Sequence, residues 1–250
     1  MNDGHESGVV TRLAEVRARV AAAAARAGTD ASAVTIVGVT KGVEPGLIEA
    51  AVSAGLTEVG ENRIQEWLSK APAVCLPVNW HFVGRLQTNK VRYLRRGVQV
   101  LHSLDRESLM RALTERWRSW SAGLGRLDQP RPAHPAGLQG PICLIQVNIA
   151  GEGTKGGIAP AEVEPFLELV VRTGVVRLGG FMTIAPYVAR AQDVRWVFAR
   201  MREVRDAAQE RWPELSLPHL SMGMSGDYEV AIEEGATIVR VGTAIFGPRD

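Results

Sequence analysis

The chain has 250 residues, 46% of them hydrophobic and 22% charged, which suits one soluble barrel domain or two smaller ones. Its 29 Lys and Arg are interleaved with 27 Asp and Glu, leaving a formal net charge of +2, so no basic stripe marks a nucleic-acid partner. Cys75 and Cys143 are too few and too far apart for a disulfide framework or a thiolate metal site. They read as buried thiols in a reducing compartment. The polar start carries no apolar secretory core, and the run at 20–25 is too short to span a bilayer. A cytoplasmic protein with no membrane role is expected.

In chain order, Val9, Leu13, Val16 and Val20 recur at spacings of three and four, predicting a helix over 9–27 that stops at Gly28. The β-branched run VTIVGVT at 34–40 then predicts a strand covered on both faces. Pro45 opens a helix whose Leu47, Ile48, Ala51 and Val52 share one apolar stripe before Gly55. The unit repeats: strands are expected near 57–60, 79–84, 98–102, 142–149, 177–182, 217–221 and 237–241. Helices are expected near 63–70, 86–95, 105–118, 161–173, 190–211 and 227–234. Alternating elements imply a parallel sheet, and eight strands suggest closure into a single (β/α)8 barrel over 1–250 with an extra N-terminal helix. The pattern alone leaves an open doubly wound sheet as the alternative. Residues 119–141, rich in Gly and Pro, read as a long, flexible surface loop. The six tryptophans are scattered and read as packing residues.

Barrel active sites lie at the C-terminal ends of strands, with phosphate commonly bound after the seventh and eighth. Three strand ends carry unusual residues: Lys41, the stretch SMGMSGD at 221–227, and VRVGTAIFG at 239–247. Closure would set the first strand beside the eighth, so an amine would face a cradle of Ser221, Gly223, Gly242 and Thr243. An amine beside an anion cradle suits a phosphorylated aldehyde, because amines condense with carbonyls.

These stretches, with GENRIQE at 60–66, HFVGRLQTNK at 81–90, QVNI at 146–149 and KGG at 155–157, resemble the pyridoxal 5′-phosphate homeostasis proteins, whose barrel is that of the alanine racemase N-terminal domain. The resemblance runs from about the first strand to the C-terminus. It implies that Lys41 carries pyridoxal 5′-phosphate as an aldimine, that Ser221, Gly242 and Thr243 hold the phosphate, that Arg240 faces the pyridine nitrogen and that Asn62 lies beside the ring. Arg63 stands where many members have tyrosine. The 119–141 loop is longer than the family leads one to expect.

Plainer roles stand beside these. Ser225 and Asp227 are suited to capping the helix that follows them. Arg240 could pair with a buried carboxylate, Asn62 could cap a helix, Lys155 could be a solvated turn residue, and His81 reads as a satisfied barrel-interior histidine. An arginine at the ring nitrogen stays protonated and only donates, which leaves the cofactor a weak electron sink. The sequence runs to Asp250 just past the eighth strand, and no second domain is expected to supply an acid or base from the opposite face. A non-catalytic carrier that serves intracellular cofactor homeostasis, as a monomer or weak dimer delivering to apo-enzymes, is therefore expected. The alternatives are an amino-acid racemase or lyase on the same lysine, and a cofactor-free sugar-phosphate barrel enzyme.

Overall fold

The structure is a computed structural model that describes residues 3–122, 140–174 and 176–248. Eight parallel strands close on themselves in chain order: β1 (Thr35–Val39), β2 (Glu58–Glu61), β3 (Asn79–Phe82), β4 (Val98–Leu104), β5 (Ile142–Gln146), β6 (Leu178–Met182), β7 (His219–Met224) and β8 (Ile238–Val241). Around them run α1 (Asp3–Arg26), α2 (Pro45–Ser53), α3 (Ile64–Lys70), α4 (Glu107–Ala122), α5 (Val163–Thr173), α6 (Arg195–Arg211), α7 (Tyr228–Glu233) and α8 (Thr243–Phe246). The open-sheet alternative is overturned, because β1 pairs directly with β8, Val37 lying opposite Arg240 and Gly38 opposite Val241.

Strand alternation sorts the side chains into two populations. Val59, Trp80, Phe82, Leu101, Ile145, Phe181, Leu220 and Val239 point outward into one large apolar shell shared with the helices. Val37, Val100, Leu144, Met182 and Ile238 form a separate, small apolar cluster inside the barrel. The rest of the lumen is polar. His81, His102, Ser221 and Arg240 are all buried within it.

Several expectations shift. The stretch expected as a helix at 86–95 is a 3-10 helix, Thr88–Arg96, and its buried apolar residues, Val91 and Leu94, lie at a spacing of three that fits this tighter winding as well as an α-helix. The expected helix at 190–211 opens with a 3-10 turn at Ala191–Val194 before α6. Strand β5 stops at Gln146, and beyond it Val147 makes only an isolated bridge to Ile158. Trp67, Trp80 and Trp117 pack inside, but Trp196 is 54% exposed, so packing does not explain it. Cys75 is exposed, contrary to expectation, and Cys143 is buried. The expected loop at 119–141 falls largely on 123–139, outside the described residues. Among the described residues, no helix is long and apolar enough to cross a membrane.

Candidate functional site

At the C-terminal mouth of the barrel, Lys41 follows β1 by two residues. It continues the alternation that turns Val37 into the lumen, and it is exposed. Its neighbours are pinned. Thr40 Oγ1 lies 2.7 Å from Glu61 Oε1, Lys70 Nζ donates to the Thr40 carbonyl at 2.6 Å, and the Gly42 N–H donates to Glu66 Oε2 at 3.0 Å. Lys70 is consumed by this work, since it also pairs with buried Glu61 at 2.7 Å and with Glu66 at 3.2 Å. The Gly42 N–H outweighs a partial burial penalty and, with Lys70, holds the Glu66 carboxyl below its ordinary range. Lys41 is the opposite case. Among the described residues nothing hydrogen-bonds its amine. The site thus contains one immobilised lysine and one free one, on adjoining elements.

Beside Lys41 stand the loops that leave β7 and β8. Gly223, near the end of β7, has φ 93°, and a Cβ there would lie 2.7 Å from the Ala231 Cβ and 2.8 Å from the Tyr228 Cα, so α7 can approach the strand end only over glycine. Ser225 Oγ accepts the N–H groups of Gly242 at 3.2 Å and Ala244 at 3.3 Å, which ties the two loops together. It does not cap α7. Asp227 occupies that N-cap position, but its carboxylate turns back to accept the Met224 N–H instead. Thr243 is exposed at the start of α8. Lys41, Gly223, Gly242 and Thr243 therefore share one mouth of the barrel, and Ser225 joins them.

Below them, Arg240 is buried in the lumen. Its Nη1 donates to Ser221 Oγ at 2.6 Å and its Nη2 to the Thr183 carbonyl at 2.8 Å. Burial pushes its pKa down to about 10, an effect partly offset by Asp227, so it still carries its charge at neutral pH. Among the described residues no carboxylate pairs with it, so the expected alternative of a buried ion pair is not what is found. Ser221 Oγ lies in this inner layer, 2.9 Å from His102 Nδ1, and is fully buried. Asn62 directly follows β2, where the backbone around its carbonyl rests on Gly84, and a Cβ at that glycine would sit 2.1 Å from the Asn62 oxygen. Its side-chain oxygen is buried and has no partner among the described residues, while Arg63 takes the N-cap position of α3. Lys155 is held rather than solvated, its Nζ donating to the Ala185 carbonyl at 2.7 Å.

Against known proteins, residues 11–250 match the family model described as alanine racemase, N-terminal domain. The pyridoxal phosphate homeostasis protein of Aquifex aeolicus is 43% identical over 239 residues, covering 95% of this chain and 97% of that protein. The chain belongs to the pyridoxal phosphate homeostasis protein family. Among solved structures, PipY of Synechococcus elongatus with PLP bound superposes with a TM-score of 0.77 at 30% identity, covering 96% of this chain and all of that one. Alanine racemase from Corynebacterium glutamicum shares the fold at a TM-score of 0.68 and 12% identity, covering 98% of this chain but 61% of the racemase chain.

The family's barrel also frames residues that the linear reading passed over. His102 and Glu58 face the lumen, and only the period-two alternation of β4 and β2, read with their direction known, could have pointed to them. Glu61 and Lys70 are nine residues apart and meet because α3 folds back over the β1–α2 loop. No spacing rule finds such a pair.

Proposed function

We propose that the chain binds pyridoxal 5′-phosphate covalently through the Lys41 amine and carries it, without turning over a substrate, for delivery to apo-enzymes. The observation that carries this reading is the pairing of β1 with β8, which sets an unpartnered lysine amine beside the glycine- and hydroxyl-rich loops of β7 and β8. The residues fit the group. Asn62 offers a buried carboxamide oxygen without a partner among the described residues. Arg240 offers a buried cation with two of its five N–H donors spent among the described residues.

In this reading the phosphate rests against Gly223, Ser225, Gly242 and Thr243, where the Ser225 and Thr243 hydroxyls can donate and the two glycines let the anion approach the backbone. Ser221, expected at the phosphate, acts instead through Arg240, to which its hydroxyl is bonded. Arg240 meets the ring nitrogen and Asn62 lies along the ring. Lys41 condenses with the aldehyde carbon, forming a C=N bond and releasing one water. When bound, the cofactor supplies an electron sink for bonds to an amino-acid α-carbon. A guanidinium can only donate to the ring nitrogen, which keeps that nitrogen unprotonated and the sink weak. Restraint of this kind suits a carrier. The pinned Thr40 and Gly42 orient the Lys41 amine, and Lys70, locked in its ion pairs, does not compete for the aldehyde. The reading places the protein in the cytoplasm as a monomer or weak dimer.

Borohydride reduction of the cofactor-loaded protein, followed by peptide mapping, tests the attachment. Mass is expected on Lys41 and is expected to vanish in Lys41→Ala. An unmodified Lys41 in the wild type removes the reading. Incubation with amino acids in deuterated water tests the carrier role, and rapid α-hydrogen exchange with turnover would replace it with an enzyme.

A further inference from the structure

A continuous file of buried polar groups crosses the barrel lumen, and the binding reading leaves most of it unused. Glu58 opens β2 at the N-terminal mouth, and its side chain remains 19% exposed. Its Oε2 lies 2.8 Å from His81 Nε2, and His81 Nδ1 lies 2.8 Å from His102 Nε2. His102 Nδ1 then reaches across from β4 to Ser221 Oγ on β7 at 2.9 Å, and Arg240 Nη1 donates to the same oxygen at 2.6 Å. Both histidine rings and the serine are buried, and every link has hydrogen-bond length. Lining a lumen with polar groups costs free energy unless all of them are paired. Here the pairing extends without a break from solvent at one mouth to the cation beneath the other.

The donors and acceptors in this file can be arranged in two ways. With one proton on His81, at Nε2 and directed to Glu58, its Nδ1 must accept from His102 Nε2–H. His102 Nδ1 then accepts the Ser221 hydroxyl proton, and Ser221 Oγ accepts from Arg240. With a second proton, His81 Nδ1–H donates to His102 Nε2, and His102 carries its own proton on Nδ1 and donates to Ser221 Oγ. The serine oxygen now accepts from both sides, and its own proton leaves the file. His102 stays neutral in both arrangements. This agrees with its environment: burial, then the nearby charges of His81, Arg240 and His219, hold its pKa well below the ordinary imidazole value. The titratable and charged groups facing the file are Glu58 from β2, His219 from β7, Asp227 at the end of the loop after β7, and Arg240 from β8.

We propose that Glu58, His81 and His102 are positioning residues for the cofactor site, setting the hydrogen bonding of Arg240 through Ser221, so that a proton taken up at the N-terminal mouth is felt at the ring nitrogen near the C-terminal mouth. The proposal rests on the reading that Arg240 meets that nitrogen. A serine that donates toward His102 is a better acceptor for Arg240 than one that already accepts from it. The second arrangement also adds a positive charge to the lumen. Both changes alter the field along the ring.

The test is the visible absorption of the full-length protein loaded with pyridoxal 5′-phosphate, followed against pH for the wild type, Glu58→Gln and His102→Leu. The wild type is expected to show a one-proton spectral step. In Glu58→Gln, which keeps the shape but removes the anion facing His81, the midpoint moves to lower pH by about one unit, a tenfold loss of proton affinity. In His102→Leu, which cuts the relay to Ser221 but leaves the His81 charge, the step shrinks, while borohydride still fixes the cofactor on Lys41. Because Glu58 is part-exposed and the change is isosteric, Glu58→Gln decides the matter alone should His102→Leu fail to fold. A wild type without a step, or a Glu58→Gln midpoint equal to the wild-type one, overturns the proposal. Failure to fix cofactor on wild-type Lys41 is a separate result, and it removes the binding reading instead.

Discussion

The inner and outer faces of the same eight strands obey different rules. Outward residues such as Phe82, Leu101, Phe181 and Leu220 join helix residues in one continuous apolar shell. Inward residues divide into a five-residue apolar cluster and a polar file of Glu58, His81, His102, Ser221 and Arg240. The shell is stabilised by area, which is non-directional and tolerant of exchange. The file is stabilised by matching each donor to an acceptor, so a loss at one link exposes the next. The shell holds the barrel together, and the lumen is where its chemistry is specified.

The largest loss of stability is expected from the shell. Phe181 is fully buried on the outward face of β6, and Phe181→Ala is expected to cost about 3–5 kcal/mol in urea unfolding without altering which lysine takes the cofactor. A loss below 1 kcal/mol would mean that the shell repacks freely. Ser221→Ala removes far fewer atoms, yet it leaves Arg240 Nη1 and His102 Nδ1 without their partner in the lumen. A cost of about 1–3 kcal/mol is expected by the same measurement. A neutral outcome would show that water replaces the hydroxyl, and the file would then be less dry than its burial implies.

Near neutral pH the smallest effect is a pH dependence carried by the lumen histidines. Burial, then the charges of His81, Arg240 and His219, depress His102, and burial, then His81, depresses His219 from 6.5. Below that value the unfolded chain takes up protons that the folded lumen refuses, so this part of the stability is present above 6.5 and lost as the pH falls. The expected slope is about 1.4 kcal/mol per pH unit for each proton. Glu58 extends the loss into more acidic solution: burial raises its carboxyl, but bonds from His81 and Asn79 outweigh that and hold it below 4.5. Urea melts at a series of pH values check this, and His102→Leu should show a shallower slope between pH 6.5 and 5. Equal slopes would place the acid sensitivity outside the lumen.

The architecture was legible because its signals are local. The β-branched run of β1, Pro45 at the first turn of α2 and the repeated strand–helix rhythm each follow from neighbours within a few positions. The mouth residues Lys41, Gly223, Gly242 and Thr243 were legible for the same reason, because each sits just past or at the end of a strand. Ser221 and Ser225 were harder to separate. They lie four residues apart in one glycine-rich stretch, and only the strand's end at Met224 divides them, leaving Ser221 turned into the lumen and Ser225 on the loop against Gly242. The helical pattern of 88–96 gave way to a tighter winding, since two buried residues at spacing three fit either.

By itself, the order of residues determined eight parallel strands, their helices and the strand ends where chemistry could gather, because period, capping and β-branching act over a few residues at a time. Barrel closure was decided in three dimensions, since the pairing of β1 with β8 joins segments about 200 residues apart. So was the identity of the free lysine: Lys41 and Lys70 differ by what Glu61 and Glu66 happen to touch. The polar file also depends on closure, for His102 and Ser221 become partners only when strands β4 and β7 face each other across the lumen.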